Sequence, residues 1–229
     1  MAHQIVLAIS NGGVLEMNWM MAILAAIVGY LIGCISFGYL SAKIFRGKDI
    51  RDVGSGNAGT ANVIRNYGWA VGAVTFIGDV AKGAGAALLG ALLVPQLSMA
   101  TSPLLDFGVN VDVSIGAYIG GVAAVMGHIW PVFLKFRGGK GVAASFGVFL
   151  VIMPVQAAIV FVICAAIIAI TRFVSVGSLA GTALMVICSV VFYFGDWGHQ
   201  TVSLILFVLV WYSHRANIKR LAEGHENTI

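Results

Sequence analysis

The sequence predicts an all-α integral membrane protein, a seven-helix transmembrane bundle with glycine-rich loops on one face, and three observations predict it. Of 229 residues, 60% are hydrophobic and 10% charged, a balance that no soluble domain of this size keeps in solution. The apolar runs are continuous and lack the alternation over about 10 positions that a membrane β-barrel requires. The 29 glycines follow no collagen period and stand beside only 4 prolines, as in transmembrane helices that meet through small residues. A net charge of +4 points to no nucleic-acid partner here, because in a membrane chain the position of each charge matters more than the sum.

A helix needs about 20 apolar residues to cross roughly 30 Å of hydrocarbon. Residues 1–17 contain neither a basic segment nor a small-residue cleavage site, and hold Asn11, Gly12, Gly13 and Glu16. They read as a loose or interfacial extension before a single domain over residues 18–229. Crossings follow near residues 19–42, 69–94, 113–129, 141–153, 154–171, 175–194 and 201–212. The fourth and fifth runs are also compatible with one long helix bent at Pro154, and charge bias chooses between the two. With seven crossings, twelve of the thirteen Lys and Arg residues, all but Lys82, share one side, while Glu16, Asp106, Asp112 and Asp196 take the other. The positive-inside rule then places the carboxyl terminus in the cytoplasm and the amino terminus outside. Cys34, Cys164 and Cys188 sit in apolar runs without metal spacing and read as free thiols.

Three polar segments fall on the basic face. Residues 54–65 read GSGNAGTANVIR. Glycines such as Gly56 let successive N–H groups turn toward one anion, Ser55 and Asn57 add donors, and Arg65 adds a full charge. The same residues also describe a glycine-rich turn capped by Ser55 or Asn57. No Walker pattern and no preceding strand accompany them, which excludes a nucleotide-binding P-loop. Residues 127–143 read GHIWPVFLKFRGGKGVA. Gly138, Gly139 and Gly141 allow close backbone approach to a phosphate, and Lys140 supplies a point charge. Lys135 and Arg137 read as positive-inside anchors, and His128 as a structural histidine bonding a backbone carbonyl. The tail reads SHRANIKRLAEGHENTI from Ser213. His214, Asn217 and Arg220 share a helical stripe, and an imidazole of ordinary pKa near ~6.5 suits proton transfer or phosphate binding. Arg215 and Lys219 read as lipid-facing charges. Ser175 and Ser178 add donors or caps beside Arg172. Asp79 and Lys82, three apart in the second crossing, are spaced to pair on one face.

Together, SGNAGTANVIR at residues 55–65, GDVAKG at residues 78–83, GHIWPVF and FRGGKGVA within residues 127–143, and the tail from His214 to Glu226 resemble the bacterial integral-membrane glycerol-3-phosphate acyltransferases that use acyl-phosphate, the PlsY family. The resemblance covers nearly the whole chain. It departs where the family has threonine directly before the asparagine of the first motif: here Ala61 precedes Asn62 and Thr60 stands one place earlier. The resemblance implies transfer of a fatty acyl group from acyl-phosphate to the sn-1 hydroxyl of glycerol-3-phosphate, giving lysophosphatidic acid and inorganic phosphate at the cytoplasmic face of the bacterial inner membrane. It also implies a functional link to an enzyme that supplies acyl-phosphate. By carry-over Ser55, Arg65 and Lys140 bind phosphate, His214 and Asn217 complete the polar pocket, and Ser178 is favoured over Ser175. Asn62, Asp79, Lys82, His128, Arg220 and Glu226 act in support.

No cofactor or metal is expected, since the five histidines are scattered and the nine acids show no paired ligand spacing. The HxxxxD pattern of other glycerolipid acyltransferases is excluded by Phe133 and Lys219 at the fifth positions after His128 and His214. A multi-spanning transporter of an organic phosphate is the alternative; it calls for a midplane site between inverted repeats, whereas the polar motifs here gather at one face.

Overall fold

A computed structural model describes residues 12–94 and 113–229, with side chains from Trp19 on. Ten α-helices follow in order: α1 Gly12–Gly33, α2 Phe37–Arg46, α3 Thr60–Tyr67, α4 Trp69–Leu93, α5 Ile115–Ile129, α6 Val142–Ile152, α7 Pro154–Thr171, α8 Val174–Phe192, α9 Trp197–Ser213 and α10 Arg215–Ala222. Single 3₁₀ turns stand at Ile50–Asp52 and Val132–Leu134. Asp106 and Asp112, assigned above to the side opposite the bases, lie outside the described residues, as do residues 1–11. α1 begins at Gly12, so helix reaches into the segment expected as an extension.

Among the described residues, five helical stretches are long and apolar enough to cross a membrane: Trp19–Arg46, Trp69–Leu93, Ile115–Leu134, Pro154–Thr171 and Val174–Phe192. α9 and α10 add a sixth if the pair, bent by 59°, counts as one span. α6 has 11 residues, a rise of about 16 Å at ~1.5 Å per residue, well short of the hydrocarbon thickness. The run over residues 141–171 is two helices: Met153 leaves helical geometry (φ −144°, ψ 63°) and Pro154 opens α7, where its missing N–H costs nothing.

The first apolar run is also broken, at Cys34–Ser36, between α1 and α2. Ser36 caps α2 by accepting the Tyr39 N–H at 3.3 Å. The Lys82 ammonium reaches in from α4 to donate to Gly33 O (3.0 Å) and Ile35 O (2.6 Å), carbonyls that a helix ending there leaves without internal partners. Lys82 also pairs with Asp79 at 2.9 Å, the pairing that their spacing predicts.

Glycine sets how closely the helices meet. A Cβ on Gly33 would stand 2.1 Å from Ala124 O, and one on Gly83 would stand 2.1 Å from Ala144 O. α1 against α5 and α4 against α6 are therefore backbone contacts, the packing that membrane helices use where lipid removes the hydrophobic drive to associate. The core between α5, α6, α7 and α9 contains Val125, Val148, Ile152, Met153 and Leu206. Large apolar side chains face outward, with Leu92 77% and Ile170 82% exposed, which suits a lipid-facing surface.

Candidate active site

The three polar segments converge on one cavity of about 300 Å³. Ser55, Asn57, Asn62, Arg65, Lys140, Gly141, Ser178, His214, Asn217 and Glu226 all line it, and Asp79 and His128 join them. Gly56, Gly138, Gly139, Lys82 and Arg220 do not line it.

The first segment is built around Asn62, which is 2% exposed. Its Oδ1 accepts the Ser55 N–H at 3.0 Å, and its Nδ2 donates to Ile50 O, Val53 O and Asn57 O. One amide thus folds the loop back upon the start of α3. Gly54 and Gly56 turn the chain in left-handed geometry (φ 59° and 68°), which glycine adopts without steric cost. Asn57 accepts the Gly59 N–H (2.9 Å) and donates to Gly138 O (3.3 Å), joining the first segment to the second. The helix α3 has Gly59 at its cap position and no side-chain cap, so neither Ser55 nor Asn57 serves as its cap. Thr60, which opens α3, lines the cavity with its hydroxyl buried and without a hydrogen-bond partner.

In the second segment the glycine amides are already used. Gly138 N–H donates to Ile129 O (3.2 Å) and Gly139 N–H to His128 O (3.0 Å), so this pair closes the loop onto the end of α5 instead of facing the cavity. Gly141 (φ 86°) then turns the chain into α6. Lys140 alone projects from this loop into the site, where its ammonium donates to Asn217 Oδ1. Among the described residues the His128 ring bonds no carbonyl, against expectation: its Nδ1 faces Asp79 Oδ1 of the neighbouring α4 at 3.4 Å, too poorly aligned for a hydrogen bond, a neighbour that linear spacing does not reveal.

The tail supplies the remaining groups. His214, 2% exposed, stands just beyond the end of α9, and its Nδ1 donates to Val210 O at 2.8 Å. A carbonyl only accepts, so the proton sits on Nδ1 and the lone pair of the neutral ring is on Nε2. Asn217 bridges Lys140 to Glu226, whose Oε1 accepts from Asn217 Nδ2 and from Ser175 Oγ (3.2 Å) and whose Oε2 accepts from Arg220 Nε (2.9 Å). Arg220 therefore acts on the site through Glu226. Of the two candidate serines at the start of α8, Ser175 bonds the Glu226 carboxylate, while Ser178 donates to Val174 O within its own helix (2.8 Å).

Burial, together with the charges of Arg220 and Arg65, lowers the Lys140 ammonium to about 8, and Glu226 opposes the shift. Burial and the Lys140 charge lower His214 to about 4, so its ring is neutral near pH 7. The Arg65 guanidinium is also lowered by burial, yet it keeps its charge. Arg65, Lys140 and Arg220 face one carboxylate, Glu226, leaving a positive excess suited to phosphate. Below this head the cavity becomes apolar, walled by Phe76, Phe146, Phe149, Val160, Phe161 and Met185. Phe146 and Phe161 stack at 4.9 Å between α6 and α7. Ser145, 1% exposed, lines this wall with a hydroxyl that finds no hydrogen-bond partner. Among the described residues no three His, Cys, Asp or Glu side chains gather as metal ligands.

A cationic head over an apolar arm has the chemistry to take a lipid phosphate, and comparison with known proteins gives the family. The glycerol-3-phosphate acyltransferase family model matches residues 23–224. The glycerol-3-phosphate acyltransferase of Thermoanaerobacter sp. (strain X514) is 41% identical over 213 residues, covering 92% of this chain and 96% of that protein. That of Clostridioides difficile (strain 630) is 41% identical over 209 residues, covering 90% and 95%. The crystal structure of PlsY (YgiH), an integral membrane glycerol 3-phosphate acyltransferase, in its glycerol 3-phosphate form superposes with a TM-score of 0.76 at 34% identity, over 91% of this chain and 95% of that one. Its lysophosphatidic acid form gives 0.72 at 32% identity over the same shares. On fold, motifs and descent together, the chain belongs to the PlsY family of glycerol-3-phosphate acyltransferases.

Proposed function

We propose that the protein transfers a fatty acyl group from acyl-phosphate to the sn-1 hydroxyl of glycerol-3-phosphate, releasing lysophosphatidic acid and inorganic phosphate. The observation that carries this reading is the continuity of the cavity, from the cationic head at Arg65 and Lys140 to the apolar arm between α4, α6, α7 and α8. An acyl chain in that arm presents its phosphate and carbonyl carbon to the head.

Acyl-phosphate is a mixed anhydride and already activated, so positioning and charge stabilisation are the main demands on the protein. The sn-1 oxygen forms a bond to the carbonyl carbon and the carbon–oxygen bond to phosphate breaks. The hydroxyl proton passes to the departing phosphate. Lys140, Arg65 and Ser55 hold phosphate oxygens, and Asn217 fixes the Lys140 ammonium. His214 contributes a neutral Nε2 as acceptor for the glycerol hydroxyl. Seven crossings, with this head at the cytoplasmic face of the bacterial inner membrane and the carboxyl terminus inside, accord with the charge bias. They also place the site where a soluble enzyme can deliver acyl-phosphate. No cofactor enters the scheme.

The test is phosphate release by protein purified in detergent, given glycerol-3-phosphate with palmitoyl-phosphate or palmitoyl-CoA. Lysophosphatidic acid formed with palmitoyl-phosphate alone, and lost in Lys140→Ala, is expected. Equal use of palmitoyl-CoA overturns the donor assignment.

A further inference from the structure

The Lys140 ammonium is held by Asn217 at its tip, but something must also set the height of the loop from which it projects. That loop rests on His128. A Cβ added to Gly139 would stand 2.0 Å from His128 Nε2, 2.7 Å from Cε1 and 3.0 Å from Cδ2. Gly139 therefore closes against the Nε2 end of the imidazole, and the main chain is pinned at the same place by Gly139 N–H to His128 O (3.0 Å) and Gly138 N–H to Ile129 O (3.2 Å).

The ring is backed at its Nδ1 end, opposite the contact with Gly139. It is 5% exposed, and behind it Asp79 Oδ1 lies 3.4 Å from Nδ1. Asp79 is in turn paired with Lys82 at 2.9 Å, and Lys82 is fastened to Gly33 O and Ile35 O where α1 gives way to α2. A chain of buried contacts thus runs from the break in the first apolar run, through α4 and α5, to the residue before Lys140. His128 and Asp79 border the cavity on one side, so the restraint acts along the line from Gly139 through the ring to Asp79, where contacting atoms transmit a displacement.

We propose that His128 is a positioning residue for the acyl transfer: its ring, backed by Asp79, is the platform on which Gly139 rests and thereby sets where the Lys140 ammonium stands. The inference rests on the function proposed above, and it needs no contact between His128 and either substrate. It also explains why position 139 is glycine although its amide does not face the cavity. The requirement is for the space beside Nε2 of the imidazole.

Size compensation tests it. Gly139→Ala, His128→Ala and the paired variant are compared with the parent protein in detergent, using kcat/KM for glycerol-3-phosphate and the pH-dependent labelling of Lys140 by acetic anhydride read by mass spectrometry. Misplacing a charged group by about 1 Å costs on the order of 100-fold, so Gly139→Ala is expected to lose about that much and to label Lys140 more readily. Removing the ring beneath the new methyl group relieves the clash, and the paired variant is expected to recover about tenfold over Gly139→Ala, a non-additivity that marks direct contact. Lys140 labelling should return toward the parent pattern with it. If Gly139→Ala does not fold, recovery of a folded, parent-labelled protein in the paired variant gives the same answer. A paired variant no better than Gly139→Ala in both readouts overturns the inference. Labelling reports on Lys140 without any acyl transfer. Restored labelling in a protein that never acylates glycerol-3-phosphate would therefore refute the proposed function and leave the positioning role standing.

Discussion

Lys140 should make the enzyme lose activity and gain stability over the same stretch of pH. Its ammonium is lowered to about 8 by burial and by Arg220 and Arg65, against about 10.4 in an unfolded chain. The charged fraction is then about nine-tenths at pH 7 and about one-tenth at pH 9. Because kcat/KM reports the free enzyme, its value for glycerol-3-phosphate should fall about tenfold across those two units if only the ammonium form binds phosphate. A bound dianion raises the lysine pKa again, so kcat at saturation should bend at higher pH than kcat/KM. Stability moves the other way. Between pH 8 and about 10.4 the unfolded chain keeps a proton that the folded chain has released, so stability of the unliganded protein rises with pH through that window. The assay is the phosphate-release profile from pH 6.5 to 9.5, with blanks for spontaneous acyl-phosphate hydrolysis, beside intrinsic-fluorescence melting at each pH. Lys140→Arg remains charged throughout, so it should be slower and flat. A parent profile that is flat to pH 9.5, or an alkaline fall that persists in Lys140→Arg, refutes the argument.

Other consequences are briefer. His214→Ala should lower kcat and leave the alkaline limb in place, because a ring lowered to about 4 is neutral long before pH 7; the lost hydrogen bond to the glycerol hydroxyl costs on the order of tenfold in rate, and the disappearance of the limb would make His214 its source. Glu226→Gln removes the carboxylate that raises the Lys140 pKa, so the kcat/KM limb should shift to lower pH, and a shift to higher pH would contradict the assigned charge arrangement. Ser145→Ala deletes a buried hydroxyl with no hydrogen-bond partner, which should leave melting unchanged or raise stability by about 1 kcal/mol; a loss of stability would show that the hydroxyl is bonded. Chelation should leave activity intact, and loss rescued by one divalent ion would overturn the metal-free scheme.

How much of the bundle was legible depended on whether the signal was local. Continuous apolar runs announced helices, and Pro154 announced the break before α7, because both act within a few residues. The break at Cys34–Ser36 was hidden. No charged residue or proline interrupts that run, and the group that stabilises the break, Lys82, arrives from a helix nearly fifty positions later. The run that holds α6 is short in the sequence as well, residues 141–153, and its 11 helical residues reach across only part of the hydrocarbon; hydropathy does not tell how much of such a crossing its neighbours complete.

At the site, residue type was legible and partner was not. Lys140, Arg65, His214 and Asn217 stand out because a basic or polar group beside an apolar run needs a reason. What each touches comes from tertiary structure: Asn217 turns its oxygen to Lys140 and its nitrogen to Glu226, a division that only the three-dimensional order of a cation, an amide and a carboxylate decides. Glycine was the least legible residue. In the first segment Gly56 is needed for a left-handed turn, a property of the chain alone, and the motif shows it. In the second, the glycine pair looks like a phosphate cradle, but both amides are spent on Ile129 and His128 and Gly139 is small because an imidazole lies against it. A glycine kept for its φ and one kept for its missing Cβ are identical in a sequence. Substitution separates them: D-alanine, which favours positive φ, should be tolerated at Gly56, whereas at Gly139 only loss of the His128 ring should make room for a methyl group.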